Sequence, residues 1–290
     1  MRIVFTLGMF GAAAVGLTAV LGGSRPSART YFGPKAAIGD GAIQSYVTLG
    51  EGGAPTAVGV SITAGGLQQL PDRMNTESRC YDLDGNGAHT SHECMGDYEH
   101  ILGLPDTVAG MATLPFKWIS VNWNAEGHKP PAPPAYAEPH FDFHFYAVER
   151  DRIEAIGPGR CGELVDCEDF KRGSEPVPAA YLPAGHIDVG AVVPRMGNHL
   201  VDSRSPELQD PPARFTRTFI YGAFDGELIF WEPMITLDFL SRASDECFAI
   251  SQPERVRRSG YYPTVYCVRH NEREDRHTVS LEGFVYAETR

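Results

Sequence analysis

The residues best suited to chemistry concentrate in one short run, Pro139-His140-Phe141-Asp142-Phe143-His144-Phe145-Tyr146. On a strand, side chains alternate between two faces, so His140, Asp142 and His144 share one face while Phe141, Phe143 and Phe145 share the other. Imidazole and carboxylate are donors for a zinc-like divalent transition metal, and the all-Phe face belongs in a core. Strand geometry limits how such a ladder is used. Residues two apart stand roughly 7 Å apart and residues four apart about 13 Å, so two neighbours can share an ion and all three hardly can. The remaining ligands must come from elsewhere in the chain. The candidates are His199, in Pro194-Arg195-Met196-Gly197-Asn198-His199, Glu232, in Phe230-Trp231-Glu232-Pro233-Met234, and His128. The expectation is that His140, Asp142, His144 and His199 converge on a polar pocket, with Asp142 either ligating or orienting an imidazole. Glu232 is a further ligand or a base. The competing expectation is an amphipathic strand that turns its polar ladder to water.

A second cation motif lies upstream. Asp82-Leu83-Asp84-Gly85-Asn86-Gly87, followed by Glu93, fits the calcium-loop template D-x-[DN]-x-[DN]-G-x5-E, with oxygens from Asp82, Asp84, Asn86 and Glu93. Its flanks differ from an EF-hand: no amphipathic helix precedes it, His89 replaces the usual apolar residue, and Cys94 follows Glu93 at once. The alternative is an Asp/Asn/Gly turn, which these residues form for backbone reasons of their own. The chain has no G-x-S-x-G elbow, no phosphate-binding glycine loop and no H-E-x-x-H.

The elements that must position these groups are mostly strands. Gln44 to Gly50, Thr56 to Thr63, Phe116 to Asn124, His140 to Tyr146, Phe215 to Tyr221, Glu227 to Trp231, Pro263 to Val268 and His277 to Tyr286 carry β-branched or alternating patterns. Helical patterns are short: Ala64 to Leu70, Glu149 to Ile156 and Ile235 to Arg242. The predicted fold is mainly β, an antiparallel sandwich or barrel with a few short peripheral helices. Long Pro/Gly segments, Gly127 to Pro139 and Val201 to Ala213, are of the kind that lines a site or an interface.

Met1-Arg2 followed by the uncharged, Ala/Val/Leu-rich stretch from Ile3 to Gly22 and by Ser24 to Ala28 predicts an export signal over residues 1–28, cleaved rather than kept as an anchor. Residues 29–290 then form a single β-rich domain, periplasmic or extracellular, with no stable membrane insertion. Six cysteines in an exported chain read as disulfides, and the economical pairing is local: Cys80 with Cys94, Cys161 with Cys167, Cys247 with Cys267. A formal net charge of −12 and scattered basic residues disfavour nucleic acid and anionic membranes as partners.

Several segments resemble the TTHB two-ten-like family, uncharacterised bacterial proteins also described as a domain of unknown function. They are Val121-Asn122-Trp123-Asn124 with Gly127-His128, Pro139 to Tyr146, Pro194 to Leu200, Phe219 to Thr236 and Gly260 to Tyr266. The resemblance implies a β-rich, often exported and oligomeric protein, here a homo-oligomer, and carries no established activity or catalytic residue. The cysteines and the loop from Arg73 to Asp97 are additions to the usual pattern, the Cys80–Cys94 loop reading as an insertion. Two functions follow: an exported oligomeric or ligand-binding module with a His/Asp metal site, its small-molecule ligand unidentified, or a metal-dependent enzyme using Asp142, His144 and His199.

Overall fold

The computed structural model describes residues 28–128 and 134–289. The expected export signal at residues 1–28 lies outside them apart from Ala28, as does the middle of the Pro-rich segment that begins at Gly127. In chain order the strands are β1 (Arg29–Ile38), β2 (Gly41–Leu49), β3 (Pro55–Thr63), β4 (Asn75–Cys80), β5 (Cys94–Gly96), β6 (Tyr98–Gly103), β7 (Trp118–Asn124), β8 (His140–Tyr146) and β9 (Pro158–Cys161). There follow β10 (His186–Val193), β11 (Gly197–Asp202), β12 (Arg217–Phe224), β13 (Glu227–Thr236), β14 (Asp245–Ala249), β15 (Gly260–Tyr262), β16 (Val265–Asn271), β17 (Arg276–Glu282) and β18 (Val285–Ala287). Three short helices, α1 (Arg150–Glu154), α2 (Cys167–Gly173) and α3 (Leu237–Arg242), sit between strands.

Two antiparallel sheets make a sandwich. One has the order β1-β2-β3-β17-β16-β14 and the other β10-β11-β12-β13-β8-β7-β6. Both sheets are open, so the barrel alternative is corrected.

Between the sheets lies the main core. Phe141, Phe143 and Phe145 of β8, Ile119, Val121 and Trp123 of β7, and Trp231 and Ile235 of β13 pack there with Val58, Val60 and Ile62 of β3 and Val279 and Leu281 of β17. The period-two alternation of these strands is what turns one face of each inward, and each Phe withdrawn from water contributes roughly 1.5–3 kcal/mol. Helix α3 starts where Thr236 caps it, its hydroxyl accepting from the Phe239 amide, so β13 runs two residues into what the sequence suggested as helix. The expected final strand from His277 to Tyr286 divides at Gly283, whose positive φ of 63° breaks it into β17 and β18.

Disulfides join Cys80 to Cys94, Cys161 to Cys167 and Cys247 to Cys267, as the local pairing predicts, and no cysteine of the chain is free. Three such bonds fit an oxidising, exported environment. Among the described residues no helix is long and apolar enough to cross a membrane.

Candidate metal centre

The opposite face of the seven-stranded sheet holds the polar ladder, and it is buried. His140 and His144 are 0% exposed, Asp142 3% and Glu232 1%. This corrects the water-facing alternative. The cover comes from parts of the chain that carry little strand signal: the β4–β5 hairpin, the loop around Glu163 and Leu164, and Tyr136 at the end of the Pro-rich segment, all of which wall a cavity of about 270 Å³ above the ladder. The Cys80–Cys94 segment is therefore part of the wall, supplying Ser91, His92 and Cys94, with Met95 and Asp97 just beyond it.

Strand register decides which groups meet. Asn124, Asn122 and Ser120 of β7 stand opposite His140, Asp142 and His144 of β8, and Met234 of β13 stands on the other side of Asp142. Glu232 of β13 pairs with Ile220 of β12, and His199 of β11 pairs with Gly222 of β12. A Cβ at Gly222 would lie 2.0 Å from the Phe230 ring, so the absence of a side chain lets Phe230 lie there. That ring packs between His199 and His144, at 5.2 and 4.9 Å between centroids.

The result is two groups instead of one. His144, His199 and Glu232 bring one ligand atom each within 4.8 Å of the others, and His128, His140 and Asp142 do the same. Asp142, expected with His144 and His199, falls in the other group. Adjacent ladder positions stand roughly 7 Å apart, and each has found partners on its own side. His199 does converge on the ladder, at His144 and Glu232, and His128 belongs with His140 and Asp142.

In each group the two imidazoles face the two oxygens of one carboxylate. His144 Nε2 lies 3.4 Å from Glu232 Oε1 and His199 Nε2 3.9 Å from Glu232 Oε2. In the second group, His140 Nε2 lies 3.2 Å from Asp142 Oδ1 and His128 Nε2 3.3 Å from Asp142 Oδ2. Bonds of about 2.0–2.1 Å at tetrahedral angles separate ligand atoms by about 3.3–3.4 Å. Both ring nitrogens of His144, Nε2 of His140, Oδ1 of Asp142 and Oε2 of Glu232 are buried without a hydrogen-bond partner. Buried polar atoms are normally paired, and each orphan costs about 1–3 kcal/mol, so several orphans turned to common points fit a cation. Backbone carbonyls hold two rings in place: His140 Nδ1 donates to Glu138 O at 2.6 Å and His199 Nδ1 to Ala191 O at 2.9 Å. Each leaves Nε2 as the ligating nitrogen, the arrangement by which outer partners set the tautomer of metal-bound histidine.

Electrostatics separate the groups. Burial pushes His144 down to about 3 and His199 down to about 4, so both imidazoles are neutral and able to donate a lone pair. Burial, with Asp142 nearby, raises the Glu232 carboxyl well above the usual range. Asp142 runs the other way: burial would raise it, but the His140 and His128 rings hold it well below the ordinary carboxylate value. Burial opposes the charging of His128 and Asp142 overcomes it, raising that ring. Asn124 Nδ2 adds a hydrogen bond to Asp142 Oδ2 at 2.7 Å.

Beyond the expected residues lies a buried charge network. The Arg79 guanidinium contacts Asp97 at 2.6 Å and Glu99 at 3.7 Å, and Asn122 donates to the same Asp97 oxygen. No motif marks these residues; they meet only because β4, β6 and β7 are brought together. Glu163, pushed up by burial, also lines the cavity, and none of the described lining residues is Lys or Arg. Glu138, by contrast, is engaged with Arg214 at 3.0 Å.

The Asp82 loop brings carboxylate oxygens of Asp82, Asp84 and Glu93 within 4.8 Å of one another. Those oxygens already accept hydrogen bonds. Asp82 takes the amides of Gly85, Asn86 and Gly87 at 2.9–3.1 Å, Asp84 that of Asn86 at 3.0 Å, and Glu93 those of Leu83 and Thr90, both at 3.0 Å. Compared with protein-family models, curated proteins and solved structures, the chain matches none.

Proposed function

We propose that this is an exported metal-binding protein that holds a divalent transition metal at His144, His199 and Glu232, with an open coordination position toward the cavity. The observation that carries this reading is the set of buried, unpartnered donor atoms at coordination-shell spacing. Two imidazoles and one carboxylate suit zinc, iron(II) or copper(II), and three protein ligands leave room for water or a substrate, whereas structural zinc sites are closed by four. Burial has already made the two rings neutral, which is the ligating state.

The cavity bears on what reaches the ion. Carboxylates of Asp97, Glu126, Asp142 and Glu163 and the side chains of Met95, Met196 and Met234 line it, so it favours a cation or a small neutral ligand over an anion. Enzymatic use of such a centre would rest on the ion as Lewis acid or as activator of its bound water. Membership of the TTHB two-ten-like group and a homo-oligomeric state are further parts of the proposal. Exposed Ile187 and Val189 on the edge strand β10 support the latter.

The test is metal content. Protein stripped with a chelator, reloaded with zinc and desalted should retain zinc by mass spectrometry, with one equivalent lost in His199→Ala and in Glu232→Gln. Retention unchanged in both variants would overturn the reading.

A further inference from the structure

We infer that His128, His140 and Asp142 bind a second divalent transition-metal ion, so that the cavity floor is a two-metal centre. This rests on the reading of His144, His199 and Glu232 given above. The second group repeats the donor set of the first, two imidazoles and a carboxylate, and its contacts of 3.2 and 3.3 Å match tetrahedral ligand spacing. Two of its atoms, His140 Nε2 and Asp142 Oδ1, are buried, face each other at 3.2 Å and have no other polar partner.

Its third ligand is delivered by a dedicated turn. The His128 amide donates to Tyr136 O at 2.9 Å, closing the base of the Pro-rich segment. Gly127 adopts φ +66°, and a Cβ there would strike the Ala137 backbone at 2.4 Å, so a glycine is required for the chain to turn His128 toward β8. The His128 ring then meets His140 edge to face at 4.7 Å. Both groups open to the same space, since His128, Asp142 and His199 line the cavity while His140, His144 and Glu232 lie beneath. Asp142 and His144, one from each group, are neighbours on a single strand face, roughly 7 Å apart at the backbone, so the two centres lie side by side at a spacing of that order. Two dications at that spacing repel, and the negative charge of Asp142, Glu232 and the cavity wall offsets the repulsion.

Zinc stoichiometry of the full mature chain tests this, with circular dichroism to confirm folding. His128 lies on a turn and is a third exposed, so His128→Ala is chosen over the buried His140. Two equivalents in the parent, one in His128→Ala, one in His199→Ala and none in the double variant are expected. Loading with copper(II) should give a paramagnetic resonance spectrum broadened by coupling, which sharpens in either single variant; an ion on a surface histidine would not couple. One equivalent in the parent, unchanged in His128→Ala and lost in His199→Ala, would overturn the second site and leave the first. One equivalent lost only in His128→Ala would overturn the first site and the two-metal centre together.

Discussion

The polar face of β8 and the Asp82 loop both gather acidic or imidazole groups within reach of one ion, yet their free donor capacity differs. In the loop, Asp82, Asp84 and Glu93 accept from backbone amides at hydrogen-bond distances; Asp82 and Asp84 are open to water, and Glu93, though buried, has its oxygens paired with the Leu83 and Thr90 amides. On β8 and its neighbours, ligand atoms of His140, Asp142, His144 and Glu232 are buried without a hydrogen bond and face only one another. Water can solvate an exposed carboxylate at little cost, so proximity there says little; a buried group has no such recourse. Burial without partners is thus the feature that distinguishes a cation site from a turn.

The largest expected effect is a zinc-dependent rise in melting temperature. Ligand at a thousandfold over its dissociation constant stabilises by about 4 kcal/mol. For a chain of this size that is on the order of 10 °C. Asp84→Ala should leave the rise intact and His199→Ala should diminish it; scanning calorimetry with and without zinc decides. The reverse pattern would break the comparison.

Next in size is a trade of stability against binding. His144 is buried with two unpartnered nitrogens, so His144→Met, apolar and of similar volume, should stabilise the metal-free chain by about 1–3 kcal/mol while reducing zinc retention. Denaturant unfolding of both chains in chelator measures it. A less stable variant would mean that His144 has a structural partner after all. Asp82→Ala should move the other way, removing an acceptor for three turn amides with no effect on zinc.

How much of this was legible in sequence divides along the same line. The bounds of β8, its Phe core face and the three disulfides follow from period-two alternation and short cysteine spacing. The 7 Å rise between alternate residues already argues against one ion shared by the whole ladder. Sequence left burial of the polar face open between a pocket and a water-facing strand, because an amphipathic strand ordinarily faces water and the cover comes from the β4–β5 hairpin and loop segments with weak patterns. Nor could spacing say that His199 goes to Glu232 instead of Asp142. That depends on β11 lying beside Gly222 and on β12 separating it from β13, and β10 and β11 are masked in sequence by Gly and Pro punctuation.

A smaller effect lies in protons. Burial and Asp142 hold the Glu232 carboxyl well above its ordinary value of 4.5. In the metal-free chain the folded state therefore keeps a proton that the unfolded state has released, and Glu232's contribution to stability falls as pH rises from about 4.5 through the folded value. Zinc needs the carboxylate, so binding should release up to one proton from Glu232, and affinity should rise with pH until that group is ionised. His144 and His199, already neutral, add none at neutral pH. Calorimetric titration in buffers of different ionisation enthalpy reads the number, and Glu232→Gln should remove that release.

The smallest expected effect is calcium at the Asp82 loop. To bind the ion through oxygens at about 2.3–2.6 Å, Asp82, Asp84 and Glu93 must share or surrender acceptor sites now held by amides of the same loop. The exchange gives up backbone hydrogen bonds that hold the turn, and the Cys80–Cys94 disulfide restrains the loop from opening to compensate. Millimolar calcium should therefore shift the melting temperature by far less than zinc does, and Asp84→Ala should change that response little. A calcium-induced shift comparable to the zinc shift, abolished by Asp84→Ala, would show that amide-bonded carboxylates can serve as a cation site here and would remove the distinction drawn between the two regions.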